Sequence, residues 1–124
     1  SSSYALVDGS GLSRKNLISP EALVQTLQAM AKSPQASVFR ASLPVAGVSG
    51  TLKNRFQNTP AAGIVQAKTG TLTGAISLSG YINPPKYGPL VFSIIVNQTE
   101  QPASIVRKAM DEIVVSLAQL QRCQ

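Results

Sequence analysis

The sequence contains no histidine and only one cysteine, and these scarcities exclude the commonest catalytic and metal-binding sites. Without an imidazole, no Ser-His-Asp or Cys-His machinery lies within the chain. The single thiol, on Cys123, forms neither an intrachain disulfide nor a zinc cage. The five acidic residues are scattered, which disfavours a metal cluster or a pair of glycosidase carboxylates. Any chemistry must use Ser, Thr, Lys, Asn and backbone amides, and we expect no metal or organic cofactor.

Aromatic residues are also few, at 5% of 124 residues, whereas the net charge is +6. A basic chain invites a nucleic-acid interpretation. However, no run of basic residues exceeds two, and the aromatic residues do not alternate with them as a stacking platform requires. The basic residues therefore indicate a solvated surface that suits an anionic polymer or substrate, and we expect no nucleic-acid partner.

Long apolar runs are absent too, because no stretch of 18 apolar residues occurs. The sequence therefore predicts no transmembrane segment, and its start has neither the basic nor the apolar region of a signal peptide. Because a predicted strand at residues 4–7 follows the first residues almost at once, we expect residues 1–124 to be the C-terminal part of one longer domain. The isolated piece is expected to self-associate through the apolar surface that it leaves bare.

The apolar pattern predicts an α+β fold, in which helices pack on an antiparallel sheet of three or more strands. The hydrophobic content of 44% is that of a folded domain. Alternating or continuous apolar residues predict strands over residues 63–69, 75–82 and 90–96, with a turn over residues 70–74.

Two helices carry clear signals in the sequence. Ser19 is a predicted N-cap, and Pro20 suits the first helical position. A long helix over residues 102–121 closes the fold. Its predicted apolar stripe consists of Val106, Met110, Ile113, Leu117 and Leu120.

The segment Lys68-Thr69-Gly70-Thr71 carries the strongest signal for chemistry. At a strand end, Lys68 and Thr69 point to opposite faces, and the glycine lets a ligand come close. A fixed ammonium, a hydroxyl and the Thr71 amide suit the recognition of a substrate carboxylate beside an oxyanion hole. An ordinary strand end with an exposed lysine would contain the same residues, so the motif alone does not decide.

A second signal lies at residues 8–16, where a glycine-rich loop precedes a predicted helix. Within it, Ser13 could relay a proton near Lys15, and Asn16 could hold an amide carbonyl. Serine and asparagine are also common turn residues, so this loop alone indicates only a turn.

Together the two signals resemble the motifs of the serine-reactive penicillin-binding proteins and β-lactamases, which are Ser-x-x-Lys, Ser-x-Asn and Lys-Thr-Gly. More closely, the sequence resembles the C-terminal part of the class C low-molecular-mass penicillin-binding proteins, the D-alanyl-D-alanine carboxypeptidase/endopeptidase family. The resemblance covers nearly the whole chain and implies a partial penicillin-binding-protein/β-lactamase-like transpeptidase domain. The matching stretches are DGSGLSRKN at residues 8–16, LPVAGVSGTLKNR at residues 43–55 and AKTGTLTGAISLSGYI at residues 67–82.

The resemblance implies a role for each residue of the third motif. Lys68 and Thr69 would bind the carboxylate of the terminal D-alanine. Gly70 would let the substrate lie along the strand, and the Thr71 amide would be one oxyanion donor.

The second motif departs from the family pattern. Ser13 would be its serine, in the proton path to the leaving group. The family separates serine and asparagine by one residue, whereas Ser13 is followed by Arg14, Lys15 and Asn16. Either Asn16 or Lys15 takes the asparagine role, and Asn16 is the favoured assignment.

The first motif is absent, because no serine in the sequence has a lysine three residues later. The resemblance implies an upstream nucleophile, and the chain alone is expected to form no acyl-enzyme. In the parent protein, the longer protein of which this chain would be a part, the implied reaction is attack by that serine on peptidoglycan stem peptides ending in D-Ala-D-Ala. β-Lactam antibiotics would acylate the same serine. The implied location is periplasmic or otherwise extracytoplasmic.

Two alternatives remain open from the sequence. The first is a β-lactamase or penicillin sensor on the same fold, which would share the Lys-Thr-Gly logic. The second is a non-catalytic basic module that binds cell wall or nucleic acid. A Ser-x-x-Lys motif upstream of Ser1 would support the enzyme over the binding module.

Overall fold

The computed structural model describes residues 4–5, 17–72, 74–97 and 100–123. In it, helices pack on a three-stranded antiparallel sheet. None of the helices in these residues is long and apolar enough to cross a membrane. In chain order the elements are β1 (Tyr4–Ala5), β2 (Leu17–Ile18), α1 (Pro20–Ala31), α2 (Ala36–Ala41), a 3₁₀ turn (Gly50–Leu52), β3 (Val65–Leu72), β4 (Ala75–Ile82), β5 (Leu90–Asn97) and α3 (Ala103–Ala118).

Helix α1 begins where the sequence predicts. The Ser19 hydroxyl accepts a hydrogen bond from the Ala22 amide at 3.1 Å, which satisfies one of the unpaired donors of the first turn. Pro20 occupies the first turn, where its missing N–H costs nothing, and Glu21 faces the positive end of the helix dipole. The helix then packs across β4 and β5.

The sheet has the strand order β3-β4-β5, and both pairs are antiparallel. Alternation along β4 divides its side chains between two faces. Leu78 and Ile82 lie in the main core with α3, whereas Tyr81 lies in a second cluster with α1. Phe92 on β5 belongs to the main core, and the neighbouring Val91 packs against the second cluster. The α+β architecture and the alternation predicted for β4 are therefore confirmed.

The predicted apolar stripe of helix α3 is correct in part, because Val106 and Met110 are buried and Leu117 packs against the core. Ile113 and Leu120, which were assigned to the stripe, are 51% and 37% exposed. The sequence places apolar residues at both three- and four-residue spacings, and contact with the sheet selects the four-residue series. The helix also ends at Ala118, earlier than predicted. Its buried residues are Val106, Met110, Val114 and Ala118.

Strand β3 runs further than the sequence indicates. It starts at Val65, because Gly63 adopts a positive φ of 80° in the preceding turn. It continues to Leu72, so the turn predicted over residues 70–74 was wrong for its first part. Gly70 pairs with Ser77, and Thr71 pairs with Ile76. Ladder pairing with β4 therefore outweighs the weak strand propensity of glycine.

Gly80 fixes how closely β3 approaches β4. It lies opposite Ala67 in the register, and both residues are buried. A Cβ atom at Gly80 would collide with the Gln66 carbonyl and lie 2.6 Å from the Ala67 Cα. Because both obstacles are backbone, no side-chain rotation makes room, and only glycine fits.

Tyr81 ties α1 and α2 to the second face of the sheet. Its hydroxyl donates to the Leu27 carbonyl at 2.7 Å. The Arg40 guanidinium lies 4.3 Å from the ring centroid, and the Phe39 ring packs edge-on at 6.3 Å. Burial raises the pKa of the Tyr81 phenol from its ordinary value of 10.0, and the charge of Arg40 offsets part of that rise.

We expect Gly80→Ala to lower the free energy of unfolding by at least about 2 kcal/mol, because the new methyl group meets backbone. Gly70→Ala is the matched control in the partner strand. Its Cβ would meet only the Ser77 Oγ, at 2.5 Å, and that hydroxyl can rotate away. Rotation costs under about 1 kcal/mol. Chemical unfolding measures both values, and equal costs would contradict the importance of the close approach at Gly80.

We expect Tyr81→Phe to cost about 1 kcal/mol of unfolding free energy at neutral pH, through the lost hydrogen bond. This contribution is fully present below pH 10 and decreases as the pH rises further, because the unfolded chain loses the phenol proton first. The difference between wild type and Tyr81→Phe therefore shrinks at high pH. Phe92→Leu, which changes a non-titrating core ring, is the control and gives a constant difference. A constant difference for Tyr81→Phe would refute this linkage.

Candidate functional site

The outer edge of β3 is covered over its first half only. The Ala67 amide donates to the Pro44 carbonyl at 3.0 Å, and the Val65 carbonyl accepts from the Ala46 amide at 3.0 Å. Backbone groups alternate in direction along an antiparallel strand, so Thr69 and Thr71 also direct their N–H and C=O groups outward. In the part of the chain that the structure describes, no backbone group pairs with this second half of the edge.

The Lys68 side chain reaches this open edge. Lys68 is exposed, and its Nζ donates to the Thr69 carbonyl at 2.6 Å. Because that carbonyl points outward, the ammonium lies over the edge rather than over the sheet. Within residues 17–72, 74–97 and 100–123, the sole ion pair joins Arg55 and Asp111, so no described carboxylate neutralises Lys68. Its charge is therefore available to an external anion.

Thr69 lies on the opposite face of β3 from Lys68, as its position in the strand requires. Its hydroxyl bonds the Thr51 hydroxyl at 3.1 Å. Thr51 belongs to the 3₁₀ turn and was not predicted as a site residue. In the sequence, Thr51 stands out only because it lies in the second stretch that resembles the family. It is 18 positions from Thr69, so no local spacing links the two residues.

The loop that carries Thr51 is anchored by a buried side chain and by an ion pair to α3. Phe56 is 5% exposed and adopts a positive φ of 65°, which is rare for a bulky residue. The neighbouring Arg55 makes a two-point contact with Asp111 of α3, in which Nε donates to Oδ2 at 3.2 Å and Nη2 contacts Oδ1. The loop therefore presents Thr51 from a fixed base.

Gly70 and Thr71 complete the described part of the site. Gly70 lies beside Ser77, so a side chain there would first press on that hydroxyl. Thr71 directs its amide to the open edge, and its hydroxyl accepts from Arg107 Nη2 of α3 at 3.1 Å. Arg107 was not expected from the sequence, where 36 residues separate it from Thr71.

The structure describes four of the six predicted site residues. Lys68, Thr69, Gly70 and Thr71 are consecutive on β3. Ser13 and Asn16, and the alternative Lys15, lie outside the described residues. The strands that flank this second motif pair with each other, since Tyr4 lies opposite Ile18 and Ala5 opposite Leu17.

A sequence profile of the D-Ala-D-Ala carboxypeptidase 3 (S13) family matches residues 1–120. The chain belongs to this family. It is 46% identical over 119 residues to the D-alanyl-D-alanine carboxypeptidase of Actinomadura sp. (strain R39), covering 92% of this chain and 22% of that relative. It is 43% identical over 122 residues to penicillin-sensitive carboxypeptidase A of Dictyostelium discoideum, covering 92% of this chain and 23% of that relative. The chain spans less than a quarter of the length of these S13 relatives.

Solved structures agree with this family assignment. Penicillin binding protein 4 from Haemophilus influenzae, complexed with a β-lactam, superposes with a TM-score of 0.76 and 29% identity over 92% of this chain and 27% of that one. A predatory endopeptidase from Bdellovibrio bacteriovorus, in complex with an immunity protein, gives a TM-score of 0.80 at 22% identity. That match covers 98% of this chain and 35% of the endopeptidase, and it shows the fold alone.

Proposed function

We propose that this chain supplies the carboxylate-binding and oxyanion-binding part of a serine-type D-Ala-D-Ala carboxypeptidase or endopeptidase. The observation that carries the proposal is the open edge of β3, to which the Lys68 ammonium and the Thr71 amide are directed, with the Thr69 hydroxyl on the adjoining face of the same strand. These groups suit the end of a peptide, because they offer a cation, a hydroxyl and an outward backbone donor within four residues.

The edge geometry supports binding of the substrate as an added strand. An extended peptide alongside β3 can bond the outward N–H and C=O of Thr69 and the outward N–H of Thr71. Pro44–Ala46 already cover the edge at Val65 and Ala67, so the added strand is confined to the second half. This confinement supports a binding mode in which the peptide's end lies beside the Lys68 side chain.

Each group then has a distinct task. The Lys68 ammonium and the Thr69 hydroxyl bind the terminal D-alanine carboxylate of a peptidoglycan stem peptide. The Thr71 N–H stabilises the oxygen that becomes negative when the scissile carbonyl turns tetrahedral. Lys68 acts through charge as well as hydrogen bonding, since no described acid offsets it.

The nucleophile of this proposal lies in a segment of the parent protein other than these 124 residues, which contain no Ser-x-x-Lys motif. The parent protein carries the chain as part of a single transpeptidase-like domain. Its serine oxygen attacks the carbonyl carbon of the penultimate D-alanine, the peptide bond breaks, and the terminal D-alanine leaves as an amine. Ser13 passes the proton released by the attacking serine to that amine, and Asn16 holds the substrate amide. Water then hydrolyses the ester that joins the serine to the peptide.

The S13 relatives favour this reaction over the alternatives drawn from the sequence. Both curated relatives are named as carboxypeptidases, and the second is described as penicillin-sensitive. Because the substrate is cell-wall peptide, we place the parent protein outside the cytoplasm, in the periplasm or its equivalent. β-Lactams enter the same site, since their carboxylate and strained amide resemble the D-Ala-D-Ala end.

The proposal extends to the isolated chain, which we expect to self-associate. Ile105 and Ile113 are 54% and 51% exposed on α3. Exposed apolar side chains on one helix favour contact with a second copy when no other segment covers them.

We expect the 124-residue chain alone to form no covalent adduct with penicillin, because it has no Ser-x-x-Lys motif. Incubation with a fluorescent penicillin followed by intact mass measurement tests this expectation. The parent protein, treated in parallel, is the positive control and gains one penicillin. A stoichiometric adduct on the isolated chain would show that the nucleophile lies among its own residues.

In the parent protein, we expect Lys68→Ala to lower the second-order acylation rate constant with penicillin by roughly thirty- to a thousand-fold, through the lost charge-assisted contact. Its effect on stability is expected to be about a few tenths of a kcal/mol, because the side chain is exposed and buries little apolar area. Acylation kinetics and a melting curve measure the two effects.

Two further variants sharpen the Lys68 experiment. Lys68→Arg is expected to recover only part of the rate, because a planar guanidinium does not place its charge where the ammonium does. Lys86→Ala removes an exposed lysine from the β4–β5 loop and is expected to leave the rate unchanged. If wild type and Lys68→Ala are acylated equally fast, Lys68 only ends a strand and the proposed site is wrong.

A further inference from the structure

Arg107 connects α3 to β3, the strand that carries the candidate site and is called the site strand below. Its Nη2 donates to the Thr71 hydroxyl at 3.1 Å, on the face opposite to Lys68. One turn further along α3, Asp111 contacts Arg55 of the loop that carries Thr51. The same face of α3 therefore contacts both the site strand and the loop beside it.

The contact between Arg107 and Thr71 is poorly explained by fold stability. Thr71 is exposed, and an exposed hydrogen bond of a charged side chain contributes little to folding. In the described ranges no carboxylate lies within ion-pair distance of Arg107, so the guanidinium does not serve a salt bridge there. The bond instead holds a residue whose amide faces the open edge.

The ladder with β4 includes Thr71 and its neighbours, whereas the Thr71 side chain is held by Arg107. Thr71 is the penultimate residue of β3, and its N–H and C=O point away from β4. Its neighbour Thr69 has the Thr51 hydroxyl as a partner, whereas the Thr71 hydroxyl has the guanidinium. An oxyanion donor acts only when its direction is fixed before the reaction.

We propose that Arg107 is a positioning residue for the oxyanion donor: by holding the Thr71 hydroxyl, it keeps the Thr71 N–H aimed at the open edge. The inference rests on the proposed function and adds to it a residue 36 positions away on another element. Arg107 touches neither the carboxylate nor the scissile bond and acts through Thr71.

The test compares three variants of the parent protein, with penicillin as the probe. Arg107→Met keeps the side-chain length and removes every donor, and we expect the maximal acylation rate constant to fall about tenfold. The penicillin concentration at half-maximal rate is expected to change less than about twofold, because carboxylate binding is untouched. Arg107→Lys keeps a donor and is expected to recover part of the rate. Lys108→Met alters the exposed neighbour on α3 and leaves both constants unchanged.

A double-mutant cycle separates positioning from a general disturbance of α3. Thr71→Val removes the hydroxyl that Arg107 holds, so adding Arg107→Met to it is expected to cause no further loss of rate. Full additivity, an unchanged rate in Arg107→Met, or an effect on half-saturation alone would each overturn the inference.

Hydrogen exchange distinguishes failure of this inference from failure of the proposed function. In Arg107→Met, the amides of residues 69–72 are expected to exchange faster than in Lys108→Met. If wild-type parent protein is not acylated at all, the proposed function is wrong, and exchange still shows whether Arg107 restrains the strand. Equal exchange in the two variants would refute that restraint.

Discussion

The register between β3 and β4 determines which way each candidate site residue of β3 points. Gly80 lies opposite Ala67, and this pairing admits no side chain at Gly80. A slip by one residue would exchange the two faces of β3. Lys68 would then turn toward the main core, where its charge would have no partner, and Val65 would turn away from it. Burial of the apolar face and the close approach at Gly80 therefore fix the direction of the Lys68 side chain.

Local patterns predicted the parts of the fold that local physics determines. The bounds of β4 follow from strict alternation, because apolar residues such as Leu78 face α3 and polar ones face the other side. The start of α1 follows from Ser19 and Pro20, whose capping chemistry needs only their immediate neighbours. The motif on β3 was also visible, because its four residues are consecutive in the sequence.

Contacts between distant segments decided the rest. Gly70 was assigned to a turn, yet pairing with Ser77 keeps it in the strand. Ile113 and Val114 are both apolar, and only the position of the sheet against α3 determines that Val114 is the buried one. Thr51 and Arg107 reach the site through tertiary contacts that span 18 and 36 residues, which no local period or spacing can reveal.

The contact between Lys68 Nζ and the Thr69 carbonyl has a consequence for how an edge ligand is received. A strand that adds to β3 brings its own N–H to that carbonyl, which then has a second donor beside the ammonium. Because a carbonyl oxygen has two lone pairs, the same oxygen can accept both donors at once. Under the proposed function, Lys68 would therefore keep its internal partner until a ligand carboxylate offers it a second one, and the exposed ammonium would have an acceptor in both states.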